Sequence, residues 1–273
     1  MRCATLLRRD SAFPNLQPGK PRAVLCCVAL GRMREEPNSR LQRMEPISAD
    51  ESAFYRRWIL ANGWAEAAGL GTTFVLGREV APSLERATGA ATVVLGALAA
   101  VFLGLILEGV LVGLAQEVVL RRRLVALRRG RWIFATAVGA GLAWTLGMIP
   151  STVMALSTSD AAASSLPVEP PALFQYGLAV LLGFVTGPIL GLAQWTVLRR
   201  HVARPAKWLW ANAVAWAIGM PLIFLGMDRV PWTEPRSTVA LSIYGVCGAV
   251  GLVVGAVHGR VLVQLLRAPI DRI

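Results

Sequence analysis

Two carboxylic acids, Glu66 and Glu108, stand inside apolar stretches long enough to cross a bilayer. A charge at that depth costs several kcal/mol, so each acid must be protonated, paired or facing water. If the two face each other in one helical hairpin, like charges in a dry setting leave them sharing one proton near neutral pH. The chemistry such a pair offers is carriage of protons or of a small solute. The bland alternative is a hydrated vestibule in which the acids have no role.

A second set of polar residues lies nearer one end of the same stretches. Gln116, Gln194 and His258 each follow a Gly-x-x-x-Gly step, and Asn62, Thr136 and Asn212 stand at matching depth in the other helix of each pair. They lie roughly 6–8 Å from the helix ends at 1.5 Å per residue. Arranged about an axis, the six make one polar layer. It serves either as hydrogen bonds that fix helix register, worth about 0.6 kcal/mol each, or as a binding or gating layer. His258 is the member that can change charge near neutral pH.

The glycines that lead to these residues are Gly109 and Gly113, Gly187 and Gly191, and Gly251 and Gly255. Residues four apart share a helix face. Small residues there let a second backbone approach, which supplies the van der Waals contact that lipid cannot. A path lined by small residues is the functional alternative. Near the same end, Glu117 is expected to pair with Arg121 or Arg260.

These residues require spanning helices. Apolar segments cover residues 58–76, 92–120, 132–156, 173–198, 208–227 and 239–266, and a span needs about 20 residues. Open strands cannot satisfy their backbone in lipid, so the segments are helices. Odd segments begin alike: Arg57-Trp58-Ile59-Leu60-Ala61-Asn62, Arg131-Trp132-Ile133-Phe134-Ala135-Thr136, and Lys207-Trp208-Leu209-Trp210-Ala211-Asn212. Even segments carry the glycines and end Val119-Leu120-Arg121-Arg122, Val197-Leu198-Arg199-Arg200 and Val261-Leu262. The fold class is therefore all-α, an integral membrane bundle of six helices made of three hairpin repeats. The repeats cover residues 51–128, 129–203 and 204–273. Residues 1–50 hold five prolines and no run long enough to span; they read as a disordered tail, or as a leader to a true start at Met33 or Met44.

The links set the orientation. Arg121, Arg122, Arg123, Arg128, Arg129, Arg131, Arg199, Arg200, Arg204 and Lys207 crowd two of them. The other three contain only Arg78, Arg86, Arg229 and Arg236 beside acids. Positive links stay in the cytoplasm, which puts both termini there, with Trp58, Trp132 and Trp208 as an interfacial aromatic belt.

Composition agrees. The 273 residues are 55% hydrophobic and only 16% charged, against roughly a quarter charged in soluble proteins. The net charge of +12 sits at span ends, so anionic lipid headgroups are the expected partner rather than nucleic acid. Neither the four cysteines nor the two histidines have metal-ligand spacing. No nucleophile elbow, P-loop or dinucleotide fingerprint is present. No cofactor, metal or enzymatic activity is expected.

The strings Gly191-Leu192-Ala193-Gln194-Trp195-Thr196-Val197-Leu198-Arg199-Arg200 and Lys207-Trp208-Leu209-Trp210-Ala211-Asn212 resemble the repeats of a loose group of uncharacterised bacterial polytopic membrane proteins. The likeness extends over residues 58–266. It implies a multi-pass protein of the bacterial inner membrane and imports no activity. Two functions are open: a non-enzymatic protein whose helices assemble with each other or with copies of the chain, and a transporter of protons or a small solute using Glu66, Glu108 and His258. A cleft that reaches the acids favours the second.

Overall fold

A capping box starts the first helix. Ser48 Oγ accepts from the Glu51 N–H at 3.2 Å, and the Glu51 carboxylate accepts from the Ser48 N–H at 3.0 Å, which satisfies orphan donors at the helix start. The same carboxylate takes two hydrogen bonds from Arg267, both 2.8 Å, tying the beginning of the first helix to the end of the last. The Arg267 hydrogen bond, with the Ser48 N–H, lowers the Glu51 carboxyl to about 2.

The computed structural model describes residues 48–86, 89–160 and 171–267, all within one compact unit, Ile47–Ile273. The tail reading for residues 1–50 lies almost wholly outside the described residues, as does the link around residue 162. The helices are α1 (Ala49–Glu66), α2 (Thr72–Arg86), α3 (Ala90–Leu103), α4 (Val110–Leu120), α5 (Arg131–Asp160), α6 (Ala172–Leu198), α7 (Lys207–Met227) and α8 (Arg236–Leu266). Two π-turns join the first four into longer rods. Ala67–Gly71 (π1) connects α1 to α2, and Gly104–Gly109 (π2) connects α3 to α4. No strand occurs among the described residues.

Five helices are long and apolar enough to cross a membrane: Ala90–Leu120, Arg131–Ser157, Ala172–Leu198, Lys207–Met227 and Arg236–Leu266. This is the make-up of a multi-pass membrane protein. The sixth expected span, the rod from α1 through α2, falls short in hydropathy, because Asn62, Glu66, Thr72 and Thr73 dilute its apolar residues. Pro150, Pro188 and Pro221 stand inside α5, α6 and α7, which spanning helices tolerate where neighbours satisfy the freed carbonyls.

Polarity runs inside out. Leu95, Leu98, Phe102, Leu142, Leu181 and Leu241 are exposed, while Asn62, Glu66, Gln116, Gln194, Asn212 and His258 are buried. With α1–α2 and α3–α4 each taken as one rod, every rod or helix packs on the next in chain order, and α1 with π1 packs on α8. Contacts thus run round a closed circuit.

Candidate functional site

The glycines bring the helices together. A Cβ on Gly113 would lie 2.8 Å from Ile133 Cα, and one on Gly109 would lie 2.7 Å from Ala137 Cα, both on α5. Gly187 and Gly191 of α6 meet Asn212 of α7. Gly251 and Gly255 of α8 meet Asn62 of α1, at 2.6 Å from its carbonyl oxygen and 2.9 Å from its Cβ. The glycine pairs of the α3–α4 rod, α6 and α8 therefore face α5, α7 and α1 in turn.

Close approach puts the polar residues within reach of each other. Trp132 Nε1 donates to Gln116 Oε1 at 2.9 Å, Trp208 Nε1 to Gln194 Oε1 at 2.9 Å, and Trp58 Nε1 to His258 Nδ1 at 3.0 Å. Gln116 donates to Asn62 Oδ1 at 2.8 Å, and Gln194 to Thr136 Oγ1 at 3.0 Å and to Gln116 Oε1 at 3.1 Å. Asn62, Thr136 and Asn212 each donate to the carbonyl of the tryptophan one turn earlier. All six residues of the expected layer lie here.

The three tryptophans are not a lipid-facing belt. Trp58, Trp132 and Trp208 are each 0% exposed. Trp208 stacks edgewise or tilted against the other two at 6.2 and 6.1 Å between ring centroids, and against His258 at 5.2 Å. The physical reason is the indole N–H, which finds an acceptor on the neighbouring hairpin. The signal was present: an interfacial tryptophan needs no fixed position, whereas these three each stand four residues before Asn or Thr. Gln194→Leu leaves the Trp208 indole without its acceptor and Thr136 Oγ1 without a donor, and removes one of the two donors to Gln116 Oε1. It is expected to cost about 2 kcal/mol, read as a lower melting temperature in detergent. An unchanged melting temperature would show that the layer is slack.

Glu117 also departs from expectation. No described ion pair joins it to Arg121 or Arg260. Both its oxygens accept from the Gly130 N–H at 3.0 Å. Gly130 precedes α5 with φ of +77°, so a negative charge meets exposed N–H groups at a helix start. Arg260 donates instead to Tyr55 Oη at 3.3 Å.

Both acids sit at π-turns. Glu66 immediately precedes π1 and Glu108 lies within π2. The two π-turns pack together, a Cβ on Gly69 falling 2.7 Å from Glu108 Cα. Such turns are rare and recur at functional sites. Glu66 is 2% exposed, and its Oε2 has no hydrogen-bond partner among the described residues. Glu108 Oε2 accepts from Trp144 Nε1 at 2.7 Å. Trp144 went unnoticed in the sequence. Counted from Trp58 and Trp208 as Trp144 is from Trp132, the matching positions hold Leu70 and Met220.

Glu108 forms part of the wall of a cavity of about 440 Å³. Counted from the three tryptophans, the residues twelve on (Leu70, Trp144, Met220) and sixteen on (Phe74, Met148, Phe224) all line it. Its deep wall is buried and includes Glu108, Ala140, Thr186 and Trp216. Ser151, Phe224 and Asp228, also on the wall, are exposed. The cleft thus reaches Glu108 from the end where Asp228 lies. Neither Glu66 nor any residue of the Trp–Gln–His layer lines it. Cys247 is buried and free, and no group of three His, Cys, Asp or Glu able to hold a metal occurs among the described residues.

No family model, curated protein or solved structure matches this chain.

Proposed function

We propose that this chain is a six-span protein of three helical hairpins about a pseudo-threefold axis, and that it is a non-enzymatic carrier of protons or a small solute. The observation that carries the transport reading is the cleft that reaches Glu108, with the hydrogen-bonded tryptophan layer lying outside its walls. Access from one side only, with an ionisable group at the floor, is how alternating-access sites are built. The cyclic order of the Trp-to-Gln or Trp-to-His bonds supports the threefold reading. The α1–α2 rod crosses as the sixth span because Asn62 and Glu66 are shielded by neighbours while Leu60 and Trp64 face outward. Self-assembly through the glycine faces is the weaker reading, since helices of the same chain already occupy those faces.

The arginine-rich links, both termini and the tryptophan layer belong on the cytoplasmic side of a bacterial inner membrane, where anionic headgroups meet the cations. The cleft then opens outward. A reporter active only in the periplasm should give no signal after Arg128 and a signal after Arg229; the reverse pattern rejects the orientation. For transport, native protein in liposomes holding a pH-sensitive dye should dissipate an imposed proton gradient, and the Glu66→Gln, Glu108→Gln double variant should not. Equal rates for the two, both at the level of empty liposomes, would end the proton reading.

A further inference from the structure

We propose that the cleft takes a small lipophilic organic cation, an aryl or alkyl amine or onium, with its charge beside Glu108 and its apolar body against Trp144, Trp216, Phe74 and Phe224. The proposal rests on the reading of the cleft as a ligand site. Its volume suits a small molecule, since such sites span roughly 300–1,000 Å³ and combine apolar walls with few polar groups.

Charge selects the class. The chain carries a net +12, yet the ionisable residues on the cleft wall are Glu108 and Asp228, both acids. Among the described residues, no lysine, arginine or histidine lines it. Arg229, next to the mouth, turns back to donate to the Leu225 carbonyl at 2.8 Å. Asp228 Oδ2 is held by Tyr176 Oη at 2.8 Å. An anion would meet two carboxylates with no counter-charge, and a neutral solute would leave Glu108 unpaired. A cation answers both.

The walls suit the rest of the ligand. Phe74 and Trp144 lie 6.5 Å apart between ring centroids, and aromatic faces attract cations most strongly away from water. Trp144 engages only Oε2 of Glu108; no hydrogen bond reaches Oε1 among the described residues. Met148, Met220 and Met227 complete the wall. Their flexible thioethers adapt to different shapes, so the site is expected to accept a range of hydrophobic cations.

The test uses two ions of one shape and opposite charge, tetraphenylphosphonium and tetraphenylborate. Their binding to the full-length protein in nanodiscs is measured by calorimetry against empty nanodiscs. The cation should bind saturably, and Glu108→Gln should weaken it by about tenfold or more, as expected for loss of one partner of a desolvated charge pair. Met220→Trp, which fills the cleft and leaves the acid in place, should also abolish binding and serves if the Glu108 variant does not fold. Equal binding of the borate, or cation binding indifferent to both variants, overturns the proposal. If the cation fails to bind while native liposomes still dissipate the proton gradient through the acids, the ligand class is wrong and transport stands. Failure of both removes both.

Discussion

Gly187→Leu is expected to destabilise the protein by about 3 kcal/mol or more, against about 1 kcal/mol for Leu192→Gly on the exposed face of the same helix. A Cβ at Gly187 would press on the Asn212 backbone, with its carbonyl carbon at 2.8 Å and Trp216 Cβ at 3.1 Å. Backbone cannot rotate out of the way as a side-chain tip can. To make room, α7 must move off α6, and the Trp208–Gln194 hydrogen bond at 2.9 Å moves with it. At Gly191 the nearest atom is the Asn212 side chain at 3.2 Å, so Gly191→Leu should fall between the other two. Thermal denaturation in detergent orders the three variants. If Gly187→Leu melts with Leu192→Gly, close packing on this face is not what holds α6 to α7.

That ranking also shows where sequence reasoning stops. Spacing puts Gly187, Gly191 and Gln194 on one side of a helix, because residues three and four apart are neighbours there. It does not say which backbone they meet, and that decides the energy. The shared depth of Asn62, Gln116 and Gln194 likewise follows from counting along spans. The partners of the tryptophans do not, since an indole beside an arginine at a span end satisfies the belt pattern equally well. The π-turns leave no pattern in the sequence beyond scattered glycines such as Gly69, Gly71 and Gly104. The cleft is legible only once the helices are in place, when positions twelve and sixteen residues after each tryptophan converge. Even then its floor comes from positions where the aligned segments differ: Glu108 against Thr186 and Val250, and Trp144 against Leu70 and Met220.

Glu66 offers the sharper test of whether these departures serve function, because structure and function call for opposite signs. A buried acid that holds a fold together does so through partners, and removing it costs roughly 3–5 kcal/mol. Glu66 packs against Gly251, whose Cβ would fall 2.7 Å from its own, and its Oε2 has no hydrogen-bond partner among the described residues. The equivalent positions hold Ala140 and Trp216, so the architecture tolerates an apolar residue there. Burying an unpaired polar group costs about 1–3 kcal/mol, a burden that selection keeps only where activity requires it. Glu66→Met fills a similar channel with an unbranched apolar chain. It is therefore expected to raise stability by about 1–2 kcal/mol while abolishing proton movement in liposomes. A variant that is less stable than the native protein yet still moves protons would mean that Glu66 is a structural group, and the acid pair would lose its place in transport.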